Sequence, residues 1–285
     1  MKIEVKNVSK KYKDTIALDD VSFTLEEPKI YGLLGRNGAG KTTFMEILSG
    51  HILASEGQIL IDGENPFDNQ RLTESICLIK EGGNFKRDLK VKNVLRIYSF
   101  FYPKWDGELA EELVKEYNLN PNAKIKALSK GMVSALGIIV GLASKAPITI
   151  FDEPYIGLDA AARRKFYDLL LEEYESEKRT IIFSTHLIDE VSLMFEEVLI
   201  LNKGKLMIKE DAESLRDRTC AVSGPIEVVE SFISDKEVIG KKQIAGMMTA
   251  YVYGNEEDAL SSGLKAEGIP IQDLMIYLTE ARRGA

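Results

Sequence analysis

Apolar residues recur along this chain at two spacings, and the change from one to the other divides it into regions. Ile3, Val5 and Val8 open a first strand, and Val21-Ser-Phe-Thr-Leu25 alternates apolar with polar residues as a second. Ile30-Tyr-Gly-Leu-Leu34, Ser75-Ile-Cys-Leu-Ile79, Pro147-Ile-Thr-Ile-Phe151 and Thr180-Ile-Ile-Phe-Ser184 are short apolar runs, the form taken by strands buried on both faces. Gly57 to Gly63 reads as a strand closed by an Asp-Gly turn. Between residues 85 and 146 the spacing becomes helical. Leu89 to Phe101 forms one helix, ended by Pro103. Asp106 caps another that carries Leu109, Leu113 and Tyr117 and stops before Asn120-Pro121. Val133 to Ala143 forms a third, with Ser129 as N-cap. Ala160 to Glu175 is amphipathic through Phe166, Leu169, Leu170 and Tyr174. Val198–Leu201 and Lys205–Ile208 form a hairpin around Asn202-Lys-Gly204, and a connecting helix follows at 210–216. The pattern then restarts, with strands at 220–222, 237–244 and 247–253 and helices at 227–233, 256–265 and 271–281. Two domains are expected, residues 1–215 and a small α/β appendage at 216–285, in a chain of α/β class.

Candidate chemistry gathers where the apolar runs end. Gly35-Arg36-Asn37-Gly38-Ala39-Gly40-Lys41-Thr42 fits G-x-x-x-x-G-K-[ST], the P-loop pattern, between an apolar run and a helical one. Its glycines let the backbone wrap a phosphate, Lys41 supplies charge, and Thr42 offers a hydroxyl to Mg²⁺. The helix starting near Lys41 aims its positive end at the anion. This motif alone does not separate kinases, GTPases and ATPases. A guanine site would call for Asn-Lys-x-Asp, and Asn202-Lys-Gly-Lys205 lacks the acid. Asp152-Glu153 ends the run at 147–151, where open α/β sheets place their ligands. There Asp152 is placed to hold Mg²⁺ and Glu153 to orient or activate water. His186 stands just past the run at 180–184, beside the same pocket, whereas His51 falls in a turn. Tyr12, in a polar turn, is placed either to stack on a purine or to pack on its neighbours. Ser129-Lys-Gly131 feeds a helix N-terminus, a second potential anion site. Asp159 reads as an N-cap. The aromatic cluster of Tyr98, Phe100, Phe101, Tyr102 and Trp105 is either core or a partner surface.

Composition narrows the setting. A net charge of −8 over 285 residues disfavours broad binding to nucleic acid, which rests on Lys and Arg neutralising phosphates. The two cysteines, Cys77 and Cys220, lack Cys-x-x-Cys spacing, so neither a zinc site nor a disulfide is indicated and a reducing, cytoplasmic compartment is expected. Met1 to Lys6 alternates like a strand, so no signal peptide is expected. The most apolar stretch, Ala135–Ala143, falls well short of the ~18 residues of a membrane span, so any membrane part is expected on another chain.

Taken in order, Gly35–Thr42, Leu128-Ser-Lys-Gly-Met132, Ile148–Glu153 with Pro154, Gly157-Leu-Asp159 and Ser184-Thr-His186 resemble the motif set of ATP-binding cassette (ABC) transporter nucleotide-binding subunits. The resemblance spans residues 1 to about 210. Phe101-Tyr-Pro-Lys-Trp-Asp106 and the appendage resemble the bacterial exporter-type branch, whose membrane protein is a separate chain. It implies a P-loop NTPase fold: a RecA-like core, an antiparallel β subdomain, a helical subdomain at 85–146 that receives the permease, and the C-terminal α/β domain. It also implies ATP and Mg²⁺ as cofactors and a second, identical or related, subunit as partner. Localisation would be cytoplasmic, on the inner face of the membrane through the permease. By the same resemblance Tyr12 stacks on adenine, and Asn37, Gly38, Ala39, Gly40, Lys41, Thr42 and Thr43 hold the triphosphate. Thr42 and Asp152 serve the metal, Glu153 is the catalytic carboxylate and His186 contacts the γ-phosphate. Ser129 and Gly131 contact the γ-phosphate of the opposite subunit, and Asp159 lies at the dimer seam. The chain departs from the family at three places. Lys130 and Met132 replace a glycine and an amide. Glu81 is the nearest match to a glutamine that reaches Mg²⁺ and the attacking water. Tyr155 stands where a small polar residue is usual. The other class is a soluble ABC ATPase acting on ribosomes or DNA. A single cassette, the absence of sustained heptads between Lys41 and Asp152, and the acidic charge speak against it.

Overall fold

The computed structural model describes residues 1–280. A six-stranded sheet organises the larger part, in the order β5 (Ile76–Ile79), β6 (Ile148–Asp152), β7 (Thr180–Ser184), β3 (Ile30–Leu34), β8 (Glu197–Asn202), β9 (Lys205–Asp211). The first five strands run parallel, and β9 returns antiparallel along β8. Every residue of β3, β6 and β7 is buried, as uninterrupted apolar runs require. Because β3, β6 and β7 are parallel and adjacent, the loops leaving their carboxyl ends open on one edge. That edge receives the P-loop, Asp152-Glu153 and His186.

Both faces of the sheet are covered. On one, the antiparallel sheet β2 (Thr15–Leu25), β1 (Ile3–Tyr12), β4 (Glu56–Ile61) packs with α1 (Lys41–Leu48), burying Leu18, Phe23, Phe44 and Met45 against Tyr31, Leu33, Ile150 and Ile182. Short α2 (Gln70–Thr73) adds Leu72 to the same core. On the other face lie α3 (Val91–Phe101), α4 (Gly107–Glu116), α5 (Lys130–Ala143) and α6 (Ala160–Ser176). Asp106 Oδ1 accepts from Leu109 N–H at 2.9 Å, capping α4, and Ser129 Oγ accepts from Met132 N–H at 3.2 Å, capping α5. From Ser134 to Ala143 all of α5 is buried. The aromatic cluster divides: Tyr98, Tyr102 and Trp105 pack on this core, whereas Phe100 and Phe101 are exposed.

Past α7 (Ile188–Val191), the β8–β9 hairpin and α8 (Ala212–Asp217), a second antiparallel sheet forms. Its order is β11 (Val238–Ile244), β12 (Met247–Tyr253), β10 (Thr219–Pro225), β13 (Lys265–Gly268). With α9 (Ile226–Phe232) and α10 (Glu256–Ser261) it closes a core of its own around Val222, Val229, Met248 and Val252. The last helix, α11 (Ile271–Glu280), turns back to the larger part, where Ile271 enters the main core and Met275 and Leu278 pack on it. Its end reaches the P-loop: Arg36 Nη1 lies 3.2 Å from Glu280 Oε1, and Asn202 Nδ2 donates to Thr279 O at 3.4 Å.

Three expectations are corrected locally. The helix expected at 256–265 stops at Ser261, because Gly263 takes a left-handed φ of +76°, and Lys265–Gly268 pairs with β10 as a strand. The helix expected from Leu89 begins at Val91, since Leu89 O is taken by Ile125 N–H in a loop contact at 2.9 Å. Tyr12 closes β1, paired with Thr15, and the turn follows it. The helix expected to reach Ala281 is seen to Glu280, and Ala281 lies outside the described residues. Both cysteines are buried and free. No described helix is long and apolar enough to cross a membrane.

Candidate functional site

The P-loop is drawn tight against β2. Gly40 has φ +104°, and a Cβ there would stand 2.4 Å from the Ala17 carbonyl, so only glycine fits. Gly40 is also the N-cap of α1 and offers no side-chain cap, which leaves the first N–H groups of the helix free for an anion. Lys41 Nζ donates to Gly35 O at 2.6 Å, so the ammonium lies over the loop. Burial holds its pKa below the usual lysine range, opposed by the charges of Glu153 and Asp152.

Opposite the loop, Thr42 Oγ1 donates to Asp152 Oδ2 at 2.8 Å. Burial pushes the Asp152 carboxyl up, while the hydrogen bond from Thr42, the nearby Ser184 hydroxyl and the charge of Lys41 pull it back. These two oxygens, one of them anionic, suit a small hard cation such as Mg²⁺. Among the described residues no group of three or more His, Cys, Asp or Glu could hold a metal ion. The donor set therefore fits a cation whose remaining ligands are phosphate oxygens and water.

A cavity of about 450 Å³ joins these parts, lined by Tyr12, Asn37, Gly38, Ala39, Gly40, Lys41, Thr42, Thr43, Glu81, Asp152 and Glu153 together with Thr15, Ile16 and Ala17. Tyr12 is 44% exposed at its mouth, open to a flat ring. Glu153 takes φ +51°, left-handed for a residue with a side chain, and its Oε2 lies 2.7 Å from His186 Nδ1. The same oxygen receives the hydroxyl of Tyr155, which sits 2.6 Å from Thr185 Oγ1 and accepts from His186 N–H at 3.2 Å. The sequence marked Tyr155 as a departure from the motif set without assigning it a role; its contacts with Glu153, Thr185 and His186 come from the structure.

His186, Ser129, Gly131 and Asp159 do not line this cavity, and His186 meets it only through its contact with Glu153. Ser129 is exposed at the start of α5. A Cβ at Gly131 would stand 2.3 Å from the Gly157 carbonyl, so the turn is pressed onto the loop after Glu153. Asp159 Oδ1 accepts from Ala162 N–H at 2.8 Å as the cap of α6. Lys130 Nζ lies 3.4 Å from Glu81 Oε1, so two of the three departures from the motif set face each other. Both side chains are more than half exposed, and such pairs contribute little stability.

Known proteins resemble this chain in sequence and in fold. A sequence profile of the ABC transporter family matches residues 18–156. The chain is 38% identical over 213 residues to the ABC transporter ATP-binding protein MJ1023 of Methanocaldococcus jannaschii, covering 72% of this chain and 75% of that one. It is 29% identical over 215 residues to the ABC transporter ATP-binding protein YtrB of Bacillus subtilis, covering 75% and 74%. The fold matches the structure of an ABC transporter ATP-binding subunit with a TM-score of 0.68 at 26% identity, over 76% of this chain and 92% of the other. It also matches the ATP-binding cassette MJ0796, a dimer in a post-hydrolysis state with ADP and Pi, with a TM-score of 0.65 at 27% identity, over 74% and 98%. With the P-loop, the paired carboxylates and the histidine on one sheet edge, the chain belongs to the ABC transporter ATP-binding proteins and is an ATPase of that family.

Proposed function

We propose that this chain works in a head-to-tail pair and drives a separate membrane permease, in the direction of export. The observation that carries the site assignment is the meeting of Thr42, Asp152, Glu153 and His186 beside Lys41 on one sheet edge. Tyr12 receives the adenine, and the loop from Asn37 to Thr43 receives the triphosphate. Thr42 and Asp152 would hold Mg²⁺, which neutralises charge on the β- and γ-phosphates when bound. Glu153 takes the proton of the attacking water as the new P–O bond forms at the γ-phosphorus and the bond to the β-phosphate oxygen breaks. His186 and Glu81 contact the γ-phosphate side.

In one subunit the far side of the γ-phosphate stays open to water. The exposed Ser129 turn, with Gly131 behind it, is available to close that side for a second copy or a related chain, with Asp159 at the seam. The dimeric ADP-and-Pi state of the cassette MJ0796 supports this pairing. Residues 1–215 would form the cassette and 216–285 an accessory domain. The permease would dock on a second cavity of about 570 Å³, lined by Leu78, Lys80, Phe85, Ile97, Tyr98 and Phe101 among others, where the helical region meets the sheet. Exposed Phe100 and Phe101 beside it suit an apolar partner surface. The protein would then sit on the inner face of the membrane through that permease. Export is inferred from the resemblance of residues 101–106 and the appendage to the exporter-type branch.

The test is Glu153→Gln, which keeps the shape of the side chain and removes the proton acceptor. The variant should bind ATP, turn it over at least ~100-fold more slowly and run as a dimer with ATP in size-exclusion chromatography. A variant that stays monomeric at saturating ATP contradicts the pairing.

A further inference from the structure

The roles proposed above for the nucleotide site leave the buried hydroxyl of Tyr155 unused. Tyr155 is 2% exposed, and its ring stacks on Phe183 of β7, with centroids 6.4 Å apart. Tyr167, the buried phenol that packs on the same Phe183, ends on the Glu190 carboxylate at 3.3 Å, a group with no proposed role in the site. Tyr155 instead ends among three functional groups: Glu153 Oε2, Thr185 Oγ1 at 2.6 Å and His186 N–H at 3.2 Å.

The proton directions follow from the partners. Leu187 N–H donates to Thr185 Oγ1 at 2.8 Å, so the threonine proton is free to turn toward the phenol. A phenol has one proton to give and lone pairs to accept with, whereas an ionised carboxylate only accepts. His186 N–H and Thr185 O–H take the acceptor side, so the phenolic proton points at Glu153 Oε2. Burial, and then this same bond, push the Tyr155 phenol well above its ordinary range, which keeps it a donor.

We propose that Tyr155 is a positioning residue for ATP hydrolysis, whose hydroxyl clamps one oxygen of Glu153 beside His186 and leaves the other for the attacking water. Oε2 is held by Tyr155 and His186 Nδ1, and no hydrogen bond among the described residues reaches Oε1. Glu153 leaves its strand with φ +51°, where its N–H donates to Ser184 O at 3.1 Å, and the Tyr155 hydroxyl holds the side chain that this backbone presents. The inference rests on the assignment of Glu153 and His186 to the reaction.

Tyr155→Phe keeps the ring and removes the hydroxyl. We expect kcat for ATP to fall roughly tenfold or more, as for outer partners of catalytic groups. ATP affinity should be kept, because the contact acts on the reaction and not on nucleotide binding. A second readout needs no nucleotide. The chain has two histidines, so the imidazole signals of ligand-free protein in NMR reduce to His51 and His186. The His186 signal should move in Tyr155→Phe, and the His51 signal should not. An unchanged kcat overturns the proposal. A lowered kcat with an unmoved His186 signal also overturns it, since the loss would then come from general destabilisation. If the variant does not fold, 3-fluorotyrosine at 155 keeps the hydroxyl and makes it a stronger donor. The expected result is an altered kcat at unchanged ATP affinity, and an unaltered kcat overturns the proposal. Failure of the underlying assignment looks different, because Glu153→Gln would then turn over ATP at the wild-type rate.

Discussion

Phe183 stands beneath the site, and shortening it tests whether apolar packing there sets both stability and turnover. It is fully buried on β7 and lies within 6.4 Å, centroid to centroid, of Phe151, Tyr155, Phe166, Tyr167 and Phe195. Phe183→Leu removes roughly three carbons of burial, about 2 kcal/mol at ~0.8 kcal/mol per methylene. The stacked contact with Phe166, at 5.9 Å and 27°, is an aromatic pair. Its loss adds about 0.5–1.5 kcal/mol. A total near 3 kcal/mol should lower Tm by about 6–12 °C for a chain of this size. The ring under Tyr155 goes too, so kcat should fall with it. Thermal unfolding of ligand-free protein and ATPase assays on the folded fraction read the two effects. The control is Lys126→Ala, which breaks the exposed pair between Lys126 and Asp88. Exposed pairs contribute about 0–1 kcal/mol, so that Tm should move little. Equal shifts in the two variants would refute the claim that this cluster, and not surface charge, carries stability at the site.

Two further outcomes follow from the electrostatics. Burial raises the Asp152 carboxyl above its ordinary range, so the folded state holds that proton more tightly than the unfolded chain. The contribution is full below the unfolded pKa and is lost as pH rises through the raised value. Urea titrations of ligand-free protein across the acidic range should show this loss in the wild type and a flatter dependence in Asp152→Asn; parallel curves would count against it. Glu81 adds a carboxylate to the cavity where the γ-phosphate is proposed to lie. Glu81→Gln should therefore speed ATP turnover with little change in Tm, and an unchanged rate and Mg²⁺ dependence would remove Glu81 from the site.

Much of the site was legible because its determinants are local. The P-loop spacing, the apolar runs of β3, β6 and β7, and the caps Asp106, Ser129 and Asp159 each depend on residues within a few positions of one another. Parallel strands order their carboxyl ends on one edge, so placing residues at strand ends was enough to bring Lys41, Asp152, Glu153 and His186 together. The short strand β13 was hidden inside a helical pattern. Its four residues have weak propensity of their own and are held by pairing with β10.

The sequence by itself determined the class of fold, the P-loop and the sheet edge on which the candidate site lies. Tertiary structure alone decided which side chains from distant segments meet: Tyr155 with Thr185 and His186, Lys130 with Glu81, and Arg36 with Glu280 at the end of α11. Periodicity and capping act through the neighbouring backbone, so they can be read along the chain. A meeting between remote side chains depends on how whole layers pack, and that is fixed only once the chain has closed on itself.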